Sequence, residues 1–72
     1  MRKIQDAVRD IVYGDEEALY ALSKDYMNLS RYAKFIHKEV EERTTKDVKP
    51  AGIVVALSRL QKGIGKVHPL IQ

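Results

Sequence analysis

The fold is decided by residues 28–63, NLSRYAKFIHKEVEERTTKDVKPAGIVVALSRLQKG, which hold two apolar patterns of helical period separated by a polar loop. In the first pattern the apolar side chains recur every three or four residues, as on one face of an α-helix. Asn28 or Ser30 can cap this helix through a side-chain oxygen. The pattern predicts a helix over residues 29–44. Its core-facing stripe spans roughly 100° and consists of Leu29, Tyr32, Ala33, Ile36, Val40 and, at its edge, Arg43.

The second pattern begins at Pro50, whose missing N–H suits the first turn of a helix. Residues 44–49 before it are polar apart from Val48 and predict a loop. The β-branched residues at 53–55 would, taken alone, favour a strand. The apolar period nevertheless persists for about twelve residues, a length that favours a helix. We therefore predict a helix over residues 50–62 that ends at Gly63.

Two shorter helices are predicted before this region, over residues 3–13 and 15–24. The first has apolar residues spaced by three, one, three and one positions, and Gly14 after it suits a left-handed helix end. Asp15 can cap the second helix, whose first turn is acidic, as the helix dipole favours. The predicted fold class is therefore all-α, a small bundle of four helices with a helix-turn-helix-like arrangement.

The chain is short and has no covalent crosslink, because its 72 residues include no cysteine. Such a chain buries only about 60% of its unfolded surface, so its helices must pack efficiently or a partner must cover them. Residues 1–63 are predicted to form the helical domain, and residues 64–72 a tail or the beginning of a further domain. No apolar run reaches the roughly 20 residues of a membrane span, and no signal peptide is recognisable. We expect a cytoplasmic protein without membrane contact.

The positive charge is concentrated in the last third of the chain. Residues 1–45 carry eight basic and nine acidic side chains, and residues 46–72 carry five basic and one acidic. The net charges are therefore −1 and +4, which add up to the +3 of the whole chain. A basic segment of this kind is typical of contact with a polyanion, although a solvated surface has the same composition.

The sequence contains no complete set of residues for catalysis or for a metal site. His37 and Glu41 are spaced to share one helix face. They supply two ligands, whereas a zinc site needs three or four. The spacing is more typical of a surface ion pair, or of a histidine that faces solvent. Residues 63–66, GIGK, lack the spacing of a phosphate-binding loop. The serines and threonines occupy cap, turn or small helix positions, without a positioned base. We expect no enzymatic activity, no cofactor and no metal.

Binding of double-stranded DNA is the leading prediction, because short helices joined by tight turns are the material of a helix-turn-helix. Two placements of the DNA-reading helix, the one that enters the major groove, are open. In the first placement this helix is the one over residues 29–44, and in the second it is the one over residues 50–62. The exposed face of the second reader is predicted to carry Gly52, Val55, Arg59 and Lys62. The candidate nucleic-acid contacts are Lys46, Lys49, Arg59, Lys62 and Lys66, with Arg31 and Lys34 for the first placement.

A protein-interaction or dimerisation domain of a larger regulatory protein is the alternative prediction. Val54 and Val55 make the last helix apolar nearly all round, which is typical of a helix buried on two sides. Phe35 lies outside the core-facing arc of the preceding helix, where it covers the core edge or anchors a partner. The predicted homodimer interface consists of these three side chains.

Two segments, NLSRYAKFI at 28–36 and IVVALSRL at 53–60, carry a resemblance to known proteins, together with Val40, Glu41, Thr44, Val48 and Lys49. The chain resembles the N-terminal helical, helix-turn-helix-like region of uncharacterised prokaryotic regulatory proteins in which an ACT-type domain follows. The resemblance covers nearly all of residues 1–62 and includes no catalytic motif. It implies a regulatory protein that responds to a small molecule, with this chain as its front part.

Overall fold

Four α-helices form the described part of the chain in the computed structural model, which gives the backbone of residues 3–67 and the side chains of residues 3–64. They are α1 (Ile4–Tyr13), α2 (Glu16–Ser23), α3 (Leu29–Thr44) and α4 (Pro50–Val67). No β-strand occurs among residues 3–67. The predicted all-α class is confirmed, and the strand alternative at residues 53–55 is excluded.

Side-chain caps begin two of the helices, as the sequence predicts. An Asp15 carboxylate oxygen accepts the backbone N–H of Ala18 at 3.3 Å in the first turn of α2. In the first turn of α3 the Asn28 side-chain oxygen accepts the N–H of Arg31 at 3.0 Å, so Asn28 rather than Ser30 is the cap. Each bond satisfies a donor that the helix itself leaves without a partner.

The core lies between α1, α3 and α4, and α2 packs against α1 and α4. The stripe predicted on α3 points into it, with Ala33, Ile36 and Val40 buried. Full burial of one aliphatic side chain stabilises a fold by about 1.5–3 kcal/mol, so apolar packing supplies the main stabilising contribution. The largest fully buried side chains are Leu22, Ile53, Leu57, Val8, Val12, Val40 and Thr44.

Two glutamine side chains fasten α4 to the rest of the bundle. Gln5 Nε2 donates to the carbonyl oxygen of Ala56 at 3.0 Å, which joins α1 to the middle of α4. Gln61 Nε2 donates to the Leu22 carbonyl oxygen and to Asp25 Oδ1, each at 3.0 Å, where α2 ends. These bonds fix the position of α4 along its axis, which apolar contacts alone specify less sharply because they are not directional.

The end of α3 is buried more deeply than its polar sequence indicates. Thr44 is fully buried, and its Oγ1 donates to the Val40 carbonyl oxygen at 2.8 Å. Arg43, at the edge of the predicted stripe, is exposed and pairs with Glu39 at 2.9 Å, as the spacing of four residues predicts. The core stripe therefore ends on Thr44 and not on Arg43.

The predicted end of the last helix at Gly63 is wrong. α4 continues through Gly63 to Val67. A glycine inside a helix costs only about 1 kcal/mol relative to alanine, and Ile64 packs against the core immediately after it. Residues 64–67 of the predicted tail thus extend α4, and residues 68–72 lie outside the described residues.

Gly14 follows α1 for a different reason from the one expected. Its φ is −84°, in the right-handed region, so it does not provide a left-handed helix end. A Cβ at this position would lie 3.3 Å from the Asp10 carbonyl oxygen, and close approach to the preceding turn explains the glycine. Among the described residues, left-handed conformations after helices occur instead at Asp25, with φ 62°, just after the α2 C-cap Lys24, and at Thr45, with φ 54°, at the end of α3.

Candidate functional site

The two helices joined by residues 45–49 form the most extensively packed helix pair of the described chain. Helices α2 and α3, by contrast, make no close backbone contact within residues 3–67, although a short turn joins them. The two placements of a reading helix are therefore not equivalent. In a helix-turn-helix the supporting helix packs against the reading helix and holds it. Helix α3 packs against α4 in this way, whereas α2 makes no close backbone contact with α3.

The outer face of α4 presents one apolar and two basic side chains to solvent. Val55, Arg59 and Lys62 are spaced by four and three residues, which places them on one helix face. Val55 is 51% exposed, and Arg59 and Lys62 are exposed, as the sequence predicts. Gly52, predicted for the same face, is half-buried, and the neighbouring Ala51 is exposed instead. We call Ala51, Val55, Arg59 and Lys62 the α4 face.

The loop before α4 is held from α3 by two side chains, His37 and Glu41, which we call the Val48 clamp. His37 Nε2 donates to the carbonyl oxygen of Val48, and a Glu41 carboxylate oxygen accepts the Val48 N–H at 3.0 Å. His37 Nε2 and a Glu41 carboxylate oxygen also lie 3.5 Å apart, so the two clamp side chains are neighbours on one face of α3, as their spacing predicts. Val48 itself is buried in the core. The clamp thus fixes the loop that leads into α4.

The loop lysines lie in different electrostatic surroundings. Lys46 borders a shallow depression whose other charged residues are Lys38, Glu41, Glu42 and Asp47. The three carboxylates outnumber the two lysines there and weaken the attraction of Lys46 for a polyanion. Lys49 is exposed beside Pro50, where α4 begins. Lys49 is therefore the loop cation best placed to extend the α4 face, and the side chain of Lys66 lies outside the described residues.

Arg31 and Lys34, the contacts of the first placement, are exposed on α3. Arg31 borders a groove between α2 and α3, across from Glu17. Within residues 3–64, the side chains of Arg31, Lys34, Lys46, Lys49, Arg59 and Lys62 form no ion pair. No described contact or pocket joins Arg31 or Lys34 to the α4 face, so the described contacts of the two placements lie on separate surfaces.

The groove between α2 and α3 has an almost entirely apolar lining and a volume of ≈ 410 Å³. It exists because α2 and α3 diverge from the turn that joins them. We call this surface the interhelical groove. Its side chains are those of Ala18, Ala21, Met27, Tyr32 and Phe35, with Asp15, Glu17, Asn28 and Arg31 around them.

The three side chains of the predicted dimer interface do not lie together. Val54 packs partly buried against the core, and Val55 belongs to the α4 face. Phe35 is 79% exposed and lines the interhelical groove on the side of α3 that faces α1 and α2. The structure places Phe35 at a site separate from the valines, and Phe35 is the most exposed of the three side chains.

Tyr32 forms the floor of the interhelical groove and stacks in a tilted geometry on Phe35, with ring centroids 6.1 Å apart. Burial raises the pKa of the Tyr32 phenol above its ordinary value, and the carboxylates of Asp15 and Glu39 raise this pKa further. The folded state therefore favours the neutral phenol.

We expect the free energy of unfolding to fall less steeply above pH 10 in a Tyr32→Phe variant than in the wild type. An unfolded tyrosine ionises near pH 10, whereas the folded Tyr32 stays neutral there because its pKa is raised. Its contribution to stability is thus complete below pH 10 and is lost as the pH rises through the folded pKa. Urea unfolding at a series of alkaline pH values measures this. Equal slopes for the two proteins would contradict the assignment.

The described residues contain no group of three histidine, aspartate or glutamate side chains arranged to hold a metal ion. Within residues 3–67, no helix has the length and apolar character to cross a membrane. Sequence reasoning missed the Val48 clamp, since the spacing of His37 and Glu41 shows that they share a face but not what they bind.

Comparison with protein-family models, curated proteins and solved structures finds no match for this chain.

Proposed function

We propose that the chain is a non-enzymatic regulatory module that binds double-stranded DNA, with α3 as the supporting helix and α4 as the reading helix. The observation that carries this proposal is the α4 face, where Arg59 and Lys62 are exposed and form no ion pair within residues 3–64, on a helix that is itself packed along α3. The other placement has less support because α2 and α3 make no close backbone contact within residues 3–67.

The side chains of the α4 face suit a duplex in size as well as in charge. Ala51 and Val55 are small, which allows the helix backbone to approach the floor of the major groove. Arg59 and Lys62 lie further along the same face, where they would reach phosphates on the groove edge. Lys49 extends this positive surface at the start of the helix, and the Val48 clamp holds it in place.

The expected affinity is modest and salt-dependent, because three or four cations displace few counterions. Each phosphate neutralised on B-DNA contributes about −0.9 to the slope of log K against log salt concentration. A contact set of Lys49, Arg59 and Lys62 would therefore give a slope of about −3. The net charge of +3 is compatible with weak binding of this kind and with detection at low salt.

We expect the double variant Arg59→Ala/Lys62→Ala to weaken binding to a fluorescein-labelled duplex and to reduce the salt slope by about two. Fluorescence anisotropy between low and moderate salt measures both quantities. The matched control is Lys34→Ala/Lys38→Ala, which removes the same charge from exposed positions of α3 outside the interhelical groove and is expected to retain the salt slope of the wild type. Absence of binding at low salt would overturn the proposal. If only the control variant bound the duplex more weakly than the wild type, α3 and not α4 would be the reading helix.

A further inference from the structure

We infer that the interhelical groove is the surface through which two copies of this chain pair, related by a two-fold axis. The groove lies between α2 and α3, whereas the proposed DNA contacts lie on α4 and at Lys49, so the inference does not depend on DNA binding. The predicted interface contained Val54, Val55 and Phe35. Of these three residues, the interface inferred here contains only Phe35.

The groove and the side chain that would fill it lie on the same face. Phe35 is the most exposed large apolar side chain of the described residues, at 79%, and it lies at the edge of the groove. Beside it are Ala18 and Ala21, whose small side chains leave room between α2 and α3. A face with a protruding ring next to an apolar hollow can pack against a copy of itself, since each ring enters the hollow of the other subunit.

The charges around the groove are arranged in the same self-complementary way. Asp15 and Glu17 lie on the α2 side and Arg31 on the α3 side, and neither Glu17 nor Arg31 forms an ion pair within residues 3–64. A two-fold axis through the groove places Glu17 of each copy opposite Arg31 of the other. Opposite charges at the edge of an apolar centre fix the orientation of the two copies. This charge pattern selects a second copy as the occupant over an acidic or a basic peptide.

Pairing would also cover surface that a chain of this size leaves exposed. The bundle has no disulfide, and small domains of this length bury only about 60% of their unfolded surface. The Tyr32–Phe35 aromatic pair, which one copy buries only in part, would lie at the centre of the interface. Aromatic side chains are enriched at such centres.

The first experiment is sedimentation equilibrium of the full chain and of two variants over a range of concentrations. The wild type is expected to dimerise, and Phe35→Asp is expected to raise the dissociation constant at least about 30-fold, the effect of a hot-spot residue. Val55→Asp is the matched control, because it places the same charge on the α4 face and should leave dimerisation unchanged. Circular dichroism verifies that both variants remain helical. A monomeric wild type, or a dimer lost in Val55→Asp and retained in Phe35→Asp, would overturn the inference.

A charge exchange tests the two-fold arrangement itself. Glu17→Arg and Arg31→Glu are each expected to weaken self-association. In a dimer of either variant, both contacts between position 17 of one copy and position 31 of the other join like charges. An equimolar mixture of the two variants is expected to form heterodimers, because both contacts are again between opposite charges. A mixture that associates no better than either variant alone would overturn the proposed arrangement.

Discussion

Leu57→Ala is expected to remove a large part of the stability of this bundle. Leu57 is fully buried at the centre of α4 and belongs to the core cluster that α1, α2 and α3 share. Deleting a buried leucine side chain costs about 2–5 kcal/mol, because the transfer free energy is lost and a cavity remains. A small domain has only about 5–15 kcal/mol in total, so this single change consumes much of the margin.

Thermal unfolding followed by circular dichroism measures the effect of Leu57→Ala. For a domain of this size each kcal/mol corresponds to about 4–8 °C, so we expect the Tm to fall by at least about 10 °C. The control is Val55→Ala, which truncates an aliphatic side chain on the opposite, 51% exposed face of the same helix and should change the Tm little. Similar losses for the two variants would show that α4 is not packed as described.

Glu41→Ala is expected to destabilise the fold by about 1–3 kcal/mol, the cost of leaving a partly buried donor without a partner. The donor is the Val48 N–H, which the Glu41 carboxylate accepts at 3.0 Å. Glu41→Gln retains an acceptor oxygen at this position and should preserve more of the stability. Urea unfolding gives the free energies, and hydrogen exchange of the Val48 amide reports on the bond directly.

The control for the Val48 clamp is Glu42→Ala, because it removes the same charge from the adjacent, exposed position of α3. We expect this variant to unfold close to the wild type and to keep the Val48 amide protected. Equal exchange rates of that amide in Glu41→Ala and in the wild type would contradict the role given to the clamp.

The helices could be predicted because their apolar period and their caps agree with each other. Asp15 and Asn28 cap the helices that their positions indicate, and Pro50 begins α4 as its chemistry favours. The end of α4 was predicted less well, because a glycine is a weak signal against helix. At Gly63 the core contact of Ile64 outweighs it, and a contact between distant segments is not visible in a local pattern.

Part of the candidate site was also visible in the sequence. The exposure of Val55, Arg59 and Lys62 follows from helical spacing alone. The Val48 clamp does not, since it requires residues 45–49 to fold back on α3, and nothing in their composition specifies that path. The interhelical groove depends on how far α2 and α3 diverge, which is a property of packing between segments. Helical spacing placed Phe35 outside the core-facing stripe of α3. It did not show that Phe35 lines a different surface from Val54 and Val55, with which it was predicted to form one interface.

The two proposed surfaces would serve one regulatory protein without competing for residues. The α4 face carries Arg59 and Lys62, whereas the interhelical groove carries Glu17, Arg31 and Phe35. Two copies joined through the groove would present two α4 faces, and a dimer of reading helices binds two half-sites on a duplex. DNA binding by a single copy and pairing of two copies remain separately measurable.

If α4 reads a duplex from its position on α3, amide chemical-shift mapping during titration with a short duplex will locate the contact on α4. We predict that the largest shifts occur at Lys49, at the first turns of α4 and along the α4 face to Lys62, and that they diminish as salt is added. Shifts confined to α2 and the first turns of α3, or no shifts at low salt, would contradict the account.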